Sequence, residues 1–291
     1  MKGILLLGGS GTRLYPMTDV LSKQLLPVYD KPMFYYPLSV LMLADIREIL
    51  VISTPRDLPL FQKMLRTGEQ WGLSFRFCEQ AKPEGIAQAL LLAESFLEGD
   101  DVCLVLGDNL FYGADFGEML IHEKKLVEQT QQANIFAYQV QNPENFGVVE
   151  IGIDGNPVSL EEKPNYPKSH WAVTGIYMYP KDASKLTKTI KPSSRGELEI
   201  TSLNNVYLEK DRLNCKTLGR GYAWLDTGTA DSLLGAGQFI ETIEKRQGFK
   251  IACLEEIAWR NKWISRKTLE LTITQNSSSS YGKYLYNLIN S

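Results

Sequence analysis

Short apolar runs recur along the first half of the chain, at Gly3 to Leu7, Ile49 to Ser53, Phe75 to Cys78, Val102 to Leu106 and Ile135 to Val140. Their length and β-branched content predict strands. Between them, Tyr36 to Ala44, Leu58 to Leu65, Ala87 to Leu97 and Phe116 to Gln131 carry apolar residues at helical spacing, so the pattern predicts repeated βα units. Such units build an α/β fold with a mostly parallel sheet flanked by helices on both faces. Ligands of these sheets sit beyond the carboxyl ends of the strands, which directs attention to the loops after Leu7, Cys78 and Leu106.

The second half is more mixed. Val148 to Ile153, Val158 to Leu160 and Ala172 to Tyr179 alternate like strands, while Glu199 to Lys210 and Ser232 to Arg246 read as helices. No internal repeat is visible. The pattern weakens after Ile264, where residues 272–280 form a polar, low-complexity stretch expected to be a mobile loop before a last helix at Tyr281 to Ile289. This divides the chain into an α/β core over 1–240, with halves of about 1–135 and 136–240, and a C-terminal helical extension over 241–291.

Composition narrows the class. A chain of 291 residues with 44% hydrophobic residues can bury a sizeable core. Lys+Arg total 31 against 34 Asp+Glu, with no dense basic run, which argues against a nucleic-acid partner. Cys78, Cys103, Cys215 and Cys253 are far apart and mostly in apolar stretches, so buried reduced thiols are expected, as in the cytoplasm. The apolar run after Met1-Lys2 is too short for a signal peptide, and no stretch is long enough to span a membrane.

Gly8-Gly9-Ser10-Gly11-Thr12-Arg13-Leu14 follows the first predicted strand. Successive backbone N–H groups in such a turn can converge on phosphate oxygens, although a glycine turn is as often structural. The Rossmann fingerprint fails because Leu14 stands where a third glycine belongs, and the Walker pattern fails for want of Gly-Lys-Ser/Thr. Arg13 can clamp triphosphate oxygens bidentately, and Lys23 offers a second cation unless it is an ordinary surface lysine. Asp108 and Asp226 both follow apolar strands. Two carboxylates from distant segments suit Mg²⁺, and the competing reading for each is a turn or helix cap. Lys163 precedes Pro164, which biases it toward extended backbone and an aimed side chain.

The segment Gly8 to Thr18 with Ser22-Lys23-Gln24-Leu25-Leu26-Pro27, then Leu106-Gly107-Asp108-Asn109, Glu161-Glu162-Lys163-Pro164, Arg195 to Thr201 and Gly221 to Thr229, resembles the signature of the sugar-nucleotide pyrophosphorylases across roughly residues 3 to 263. The likeness is strongest to those that act on glucose 1-phosphate with dTTP. It implies a Rossmann-like nucleotidyltransferase fold with sugar-binding and C-terminal helical additions. In this resemblance the nucleotide is bound by Leu6, Gly8, Gly9, Ser10, Gly11, Thr12, Arg13, Gln24, Gln80, Gly85 and Asp108. The sugar phosphate falls to Asn109, Gly147, Glu162, Lys163, Val173 and Arg195. Arg13, Lys23, Lys163, Asp108 and Asp226 carry the catalysis, and Asp108 and Asp226 hold Mg²⁺. Leu7, in place of the family's usual alanine, and Glu84, in place of an aspartate, depart from the pattern.

The resemblance further implies a homotetramer, feedback by a downstream dTDP-sugar, and a place in nucleotide-sugar biosynthesis for cell-envelope polysaccharide such as rhamnose-containing lipopolysaccharide. The chemistry expected is a single in-line displacement at the α-phosphorus. A phosphate monoester is already mostly dianionic at neutral pH, so neither a protein nucleophile nor a general base is required. The alternatives are a uridylyl- or other nucleotidyltransferase, and a regulatory subunit that binds a nucleotide sugar without chemistry.

Overall fold

The computed structural model describes residues 1–9 and 11–290, so Ser10, expected in the phosphate loop, lies outside the described residues. The chain opens with strand β1 (Lys2–Leu7), a short hairpin of β2 (Pro27–Val28) and β3 (Lys31–Pro32), and helix α1 (Tyr35–Leu43). Next come β4 (Glu48–Ser53), α2 (Leu58–Leu65), β5 (Ser74–Glu79), α3 (Gln88–Leu92), α4 (Glu94–Leu97) and β6 (Val102–Leu106). The single helix expected over Ala87 to Leu97 is thus two short pieces meeting at Ala93.

β1 lies between β4 and β6, parallel to both, with β5 beyond β4. All six residues of β1 are buried. A strand covered on both faces has no polar face to alternate with, which is why Gly3 to Leu7 reads as a continuous apolar run.

The chain continues through β7 (Asn109–Gly113), α5 (Phe116–Thr130), β8 (Ala133–Gln139), β9 (Gly147–Ile151), β10 (Pro157–Glu162) and β11 (Trp171–Tyr179). Then follow α6 (Ala183–Thr187), α7 (Ile200–Leu208), β12 (Leu213–Leu218), β13 (Tyr222–Asp226) and α8 (Ala230–Gln247). β11 runs antiparallel to β6, β8 and β9, so the nine-stranded sheet becomes mixed toward this side. Two apolar cores cover its faces, one including Leu5, Leu7 and Val105, the other Ile4, Leu6 and Leu104. β8 runs through residue 135 and α8 through residue 240, so the halves and extension expected from sequence are joined by continuous elements.

The tail folds into α9 (Leu254–Arg260), α10 (Arg266–Gln275) and α11 (Ser280–Asn290). This corrects the expected loop over 272–280. Leu269 and Ile273, four residues apart, are buried on one face of α10, and that burial outweighs the polar composition around them. Only residues 276–279 form the turn into α11. Glu255 on α9 joins the tail to the core, accepting from Trp71 Nε1 at 3.0 Å and Tyr281 Oη at 2.5 Å. No helix among the described residues is long and apolar enough to cross a membrane.

Candidate active site

The chain leaves β1 through the glycine turn, and the turn's carbonyls are drawn toward the protein. Gln24 Nε2 donates to the Gly8 carbonyl at 3.1 Å and Thr18 Oγ1 to that of Gly11 at 2.8 Å. Gly9 and Gly11 have φ of 125° and 59°, in the left-handed half of backbone space that glycine enters at little cost. A Cβ on Gly8 would stand 2.8 Å from Gln80 Oε1, so the turn fits closely against that amide. The result is a cavity of ≈ 210 Å³ lined by Gly8, Gly9, Gly11, Thr12, Arg13, Lys23, Gln24, Asp108 and Gly228.

Thr12, Arg13 and Asp108 also line a larger cleft of ≈ 690 Å³, which brings in Asn109, Gly147, Glu162, Lys163, Val173, Arg195 and Asp226. Most residues singled out from sequence therefore meet at the carboxyl end of β1 and β6. Leu6 packs in the second core and accepts from Gly107 N through its carbonyl at 2.9 Å. Gly85, with φ of 104°, precedes Ile86 of the larger cleft and packs tightly, since a Cβ there would meet the Leu198 carbonyl at 2.4 Å. Gln80 and Gln24 are buried and already engaged with protein groups: Gln80 Nε2 donates to Gln88 at 2.6 Å, and Gln24 Oε1 accepts from Ser22 at 2.6 Å.

Asp108 and Asp226 are brought together by the β7–β13 ladder, in which Asp226 is directly opposite Asn109. Thr227 closes it, donating to the Asp108 carbonyl from N at 3.3 Å and from Oγ1 at 2.9 Å. A Cβ on Gly228 would lie 3.0 Å from both Arg13 Nη2 and Asp226 Oδ2, so the absence of a side chain there lets the guanidinium approach the carboxylate. Lys23 Nζ stands 2.7 Å from Asp108 Oδ2.

The two carboxyls are pushed in opposite directions. Burial works to raise Asp108, but the Lys23 ammonium and hydrogen bonds from Lys23 and Asn109 outweigh it and hold this carboxyl below its ordinary range. Burial and the charge of Asp108 raise Asp226, against the pull of Lys23, Arg13 and Lys163. A pair of hard oxygen donors in electrostatic conflict at one end of a cleft fits a divalent cation.

On the far wall, Thr201 Oγ1 fixes Glu162 Oε2 at 2.6 Å. Arg195 Nη2 is ringed by Glu162 at 3.5 Å, Glu197 at 3.5 Å and Glu199 at 2.9 Å. Lys163 Nζ lies 3.9 Å from Glu162 Oε1 and is half exposed. Its backbone corrects the sequence expectation: φ is 46°, not extended, where the chain leaves β10 with its N–H still donating to the Phe146 carbonyl at 3.0 Å. A cost of this kind is tolerated where surrounding structure fixes it. Thr201, Glu199, Trp224 and Gly228 were not singled out from sequence, although all four lie inside motifs that were. Their signal is the motif itself, since each acts by holding a neighbour.

A family model described as nucleotidyl transferase matches residues 2–243, and the chain belongs to that family. Membership of the family implies a divalent metal. The chain is 55% identical over 289 residues to a glucose-1-phosphate thymidylyltransferase of Neisseria meningitidis serogroup A, covering 99% of each. It is 50% identical over 289 residues to the protein of the same name in Mycobacterium tuberculosis, again covering 99% of each. A solved structure provisionally described as glucose-1-phosphate thymidylyltransferase, from Bacillus anthracis in complex with sucrose, superposes with a TM-score of 0.75 at 40% identity, covering 82% of this chain and 94% of that one. A UDP-glucose pyrophosphorylase complexed with UDP-glucose shares the fold, with a TM-score of 0.73 at 21% identity over 83% of this chain and 98% of that one.

Proposed function

We propose that the protein transfers a deoxythymidylyl group from dTTP to α-D-glucose 1-phosphate, giving dTDP-glucose and pyrophosphate. The observation that carries this reading is the sharing of Thr12, Arg13 and Asp108 between the glycine-loop cavity and the larger cleft, an arrangement that suits two phosphate-bearing substrates bound side by side. The names of relatives at 50% identity or more support dTTP and glucose 1-phosphate as those substrates. In this reading residues 1–135 bind the nucleotide, 136–240 the sugar phosphate, and 241–291 form the extension.

Gly8, Gly9, Gly11 and Thr12 cradle the triphosphate, and Arg13 and Lys23 offset its charge. Gln24 and Gln80 reach the nucleoside only by giving up part of their present hydrogen bonding, while Leu6 and Gly85 contribute through backbone. Asp108 and Asp226 hold the metal, Mg²⁺ in this reading, which when bound supplies positive charge beside the reacting phosphates. Glu162, Gly147, Val173 and Asn109 line the hexose wall, and Lys163 and Arg195 draw the sugar phosphate toward the α-phosphorus. The acceptor oxygen attacks in line and pyrophosphate departs, so phosphorus inverts and no side chain becomes covalently bound. Bringing two polyanions together is costly. An ion pair at about 4 Å is worth about 1 kcal/mol in water and about 4 at an effective dielectric near 20, so these cations act best where water is excluded.

The same proposal includes a cytoplasmic homotetramer subject to feedback by a dTDP-sugar, checked by sedimentation and by inhibition with dTDP-rhamnose. The test of the reaction is a matrix of dTTP, UTP, CTP and GTP against sugar 1-phosphates, read by pyrophosphate release. The expected maximum is dTTP with glucose 1-phosphate. A maximum with another pair, or release with none, overturns the assignment.

A further inference from the structure

The motif residue Asn109 makes more bonds to protein than a sugar contact needs. It is buried at 4% exposure at the start of β7. Its Oδ1 accepts from Trp224 Nε1 at 2.6 Å and from Gly175 N at 3.0 Å. Its Nδ2 donates to Asp108 Oδ1 at 2.8 Å. An indole N–H and a backbone N–H can only donate, so the amide cannot be reversed without facing two donors with a third. Trp224 and Gly175 therefore dictate that the N–H₂ end faces Asp108.

The surroundings are shaped for this contact. Gly175 sits where β11 shifts register against β8 between Val173 and Tyr177, and a Cβ there would fall 2.6 Å from both Cγ and Oδ1 of Asn109. Trp224 lies on β13, two residues before Asp226, and packs on Phe146 and Tyr138 at centroid distances of 5.1 and 6.1 Å. With Lys23 on Oδ2, both oxygens of Asp108 have a fixed partner.

We infer that Asn109 is a positioning residue for the Asp108 carboxylate, locked in orientation by the Trp224 indole N–H, so that the sugar wall formed by β11 and the metal-holding carboxylate are set by one amide. The inference rests on the reading of Asp108 as a metal ligand. Trp224→Phe keeps the ring and its packing but removes one of the two donors that fix the amide. Losing one such bond to a buried acceptor loosens the amide that holds Asp108 Oδ1, and a loss of about ten-fold in affinity for the divalent ion is expected.

The experiment follows Mn²⁺ by electron paramagnetic resonance, titrating the full-length protein with the α,β-methylene analogue of dTTP, which does not turn over. Trp224→Phe is expected to weaken Mn²⁺ binding about ten-fold, and Asn109→Ala, which adds no charge, to do the same. Circular dichroism establishes that each variant is folded, and either folded variant suffices. A folded variant whose Mn²⁺ titration overlays that of the unsubstituted protein overturns the inference. Asp108→Asn separates the two levels: if it too leaves Mn²⁺ binding unchanged, the metal-ligand reading has failed. If it abolishes binding while Trp224→Phe and Asn109→Ala do not alter it, only the positioning role has failed.

Discussion

Lys23 Nζ and Asp108 Oδ2 are 2.7 Å apart, across 85 residues of sequence, and the lysine side chain is only 7% exposed. Lys23 follows the glycine turn and Asp108 follows β6, so this pair ties the glycine-turn side of the site to its carboxylate side. Lys23→Met removes the cation without changing the bulk much. Turnover is expected to fall about 100-fold, the scale of losing one electrostatic donor at a reacting phosphate. Steady-state rates at saturating dTTP and glucose 1-phosphate check this, and a near-normal kcat would remove Lys23 from the machinery.

In the proposed reading Lys163 serves the other substrate. Its side chain is 48% exposed at the cleft, and its backbone N–H is held by the Phe146 carbonyl. Lys163→Ala is expected to raise KM for glucose 1-phosphate at least about ten-fold, the scale of one charge-assisted bond to phosphate. The KM for dTTP should change far less. Parallel rises in both constants would contradict an acceptor-specific role.

A buried charge cluster secures α8 to the hairpin behind the site. Glu244 Oε1 accepts from Lys31 at 3.0 Å and from Ile251 N at 2.9 Å, while its Oε2 accepts from Lys250 at 3.0 Å. Asp30 pairs with both lysines. Glu244→Ala leaves Lys31, 4% exposed, with half its counter-charge. The expected loss of stability is about 3 kcal/mol, measured by chemical denaturation. A loss below about 1 kcal/mol would show that Asp30 alone suffices.

The cysteines should be inert in the native state. Burial pushes the thiols of Cys103, Cys215 and Cys253 up to about 12, and burial also raises Cys78. The reactive thiolate is the minor form below each raised value, so reaction with a thiol reagent at pH 8 is expected to be slow, and to reach four equivalents on unfolding. Rapid native labelling of three thiols would contradict the burial seen here.

The central strands β1, β4 and β6 were readable because they are buried on both faces. Val102 to Leu106 coincides with β6, and the helical spacing of Leu58 to Leu65 coincides with α2. β12 was not readable: Leu-Asn-Cys-Lys-Thr-Leu has little apolar pattern, and it becomes a strand by pairing with β8 at the sheet margin. The strand before Asp226 was readable as an apolar run, but its partner β7 was not, since their ladder is a two-stranded sheet of its own whose register sets Asp226 opposite Asn109. At the candidate site, the motifs that supply its residues were legible but the contacts among those residues were not. Nothing local in the sequence says that Trp224 meets Asn109 or that Arg195 is ringed by three glutamates, because those contacts join segments 33 or more residues apart or depend on rotamers within one short stretch. The positive φ of Lys163 likewise departs from the preference imposed by Pro164, at the point where the chain leaves the β10–β9 ladder.

The central claim is that Asp108 and Asp226 together hold the divalent ion around which both substrates assemble. Pyrophosphate release from dTTP and glucose 1-phosphate, measured for Asp108→Asn and Asp226→Asn at saturating Mg²⁺, tests it most directly. Each variant is expected to be folded and slower by at least about 100-fold. A folded variant of either residue that turns over at the unsubstituted rate would contradict the account.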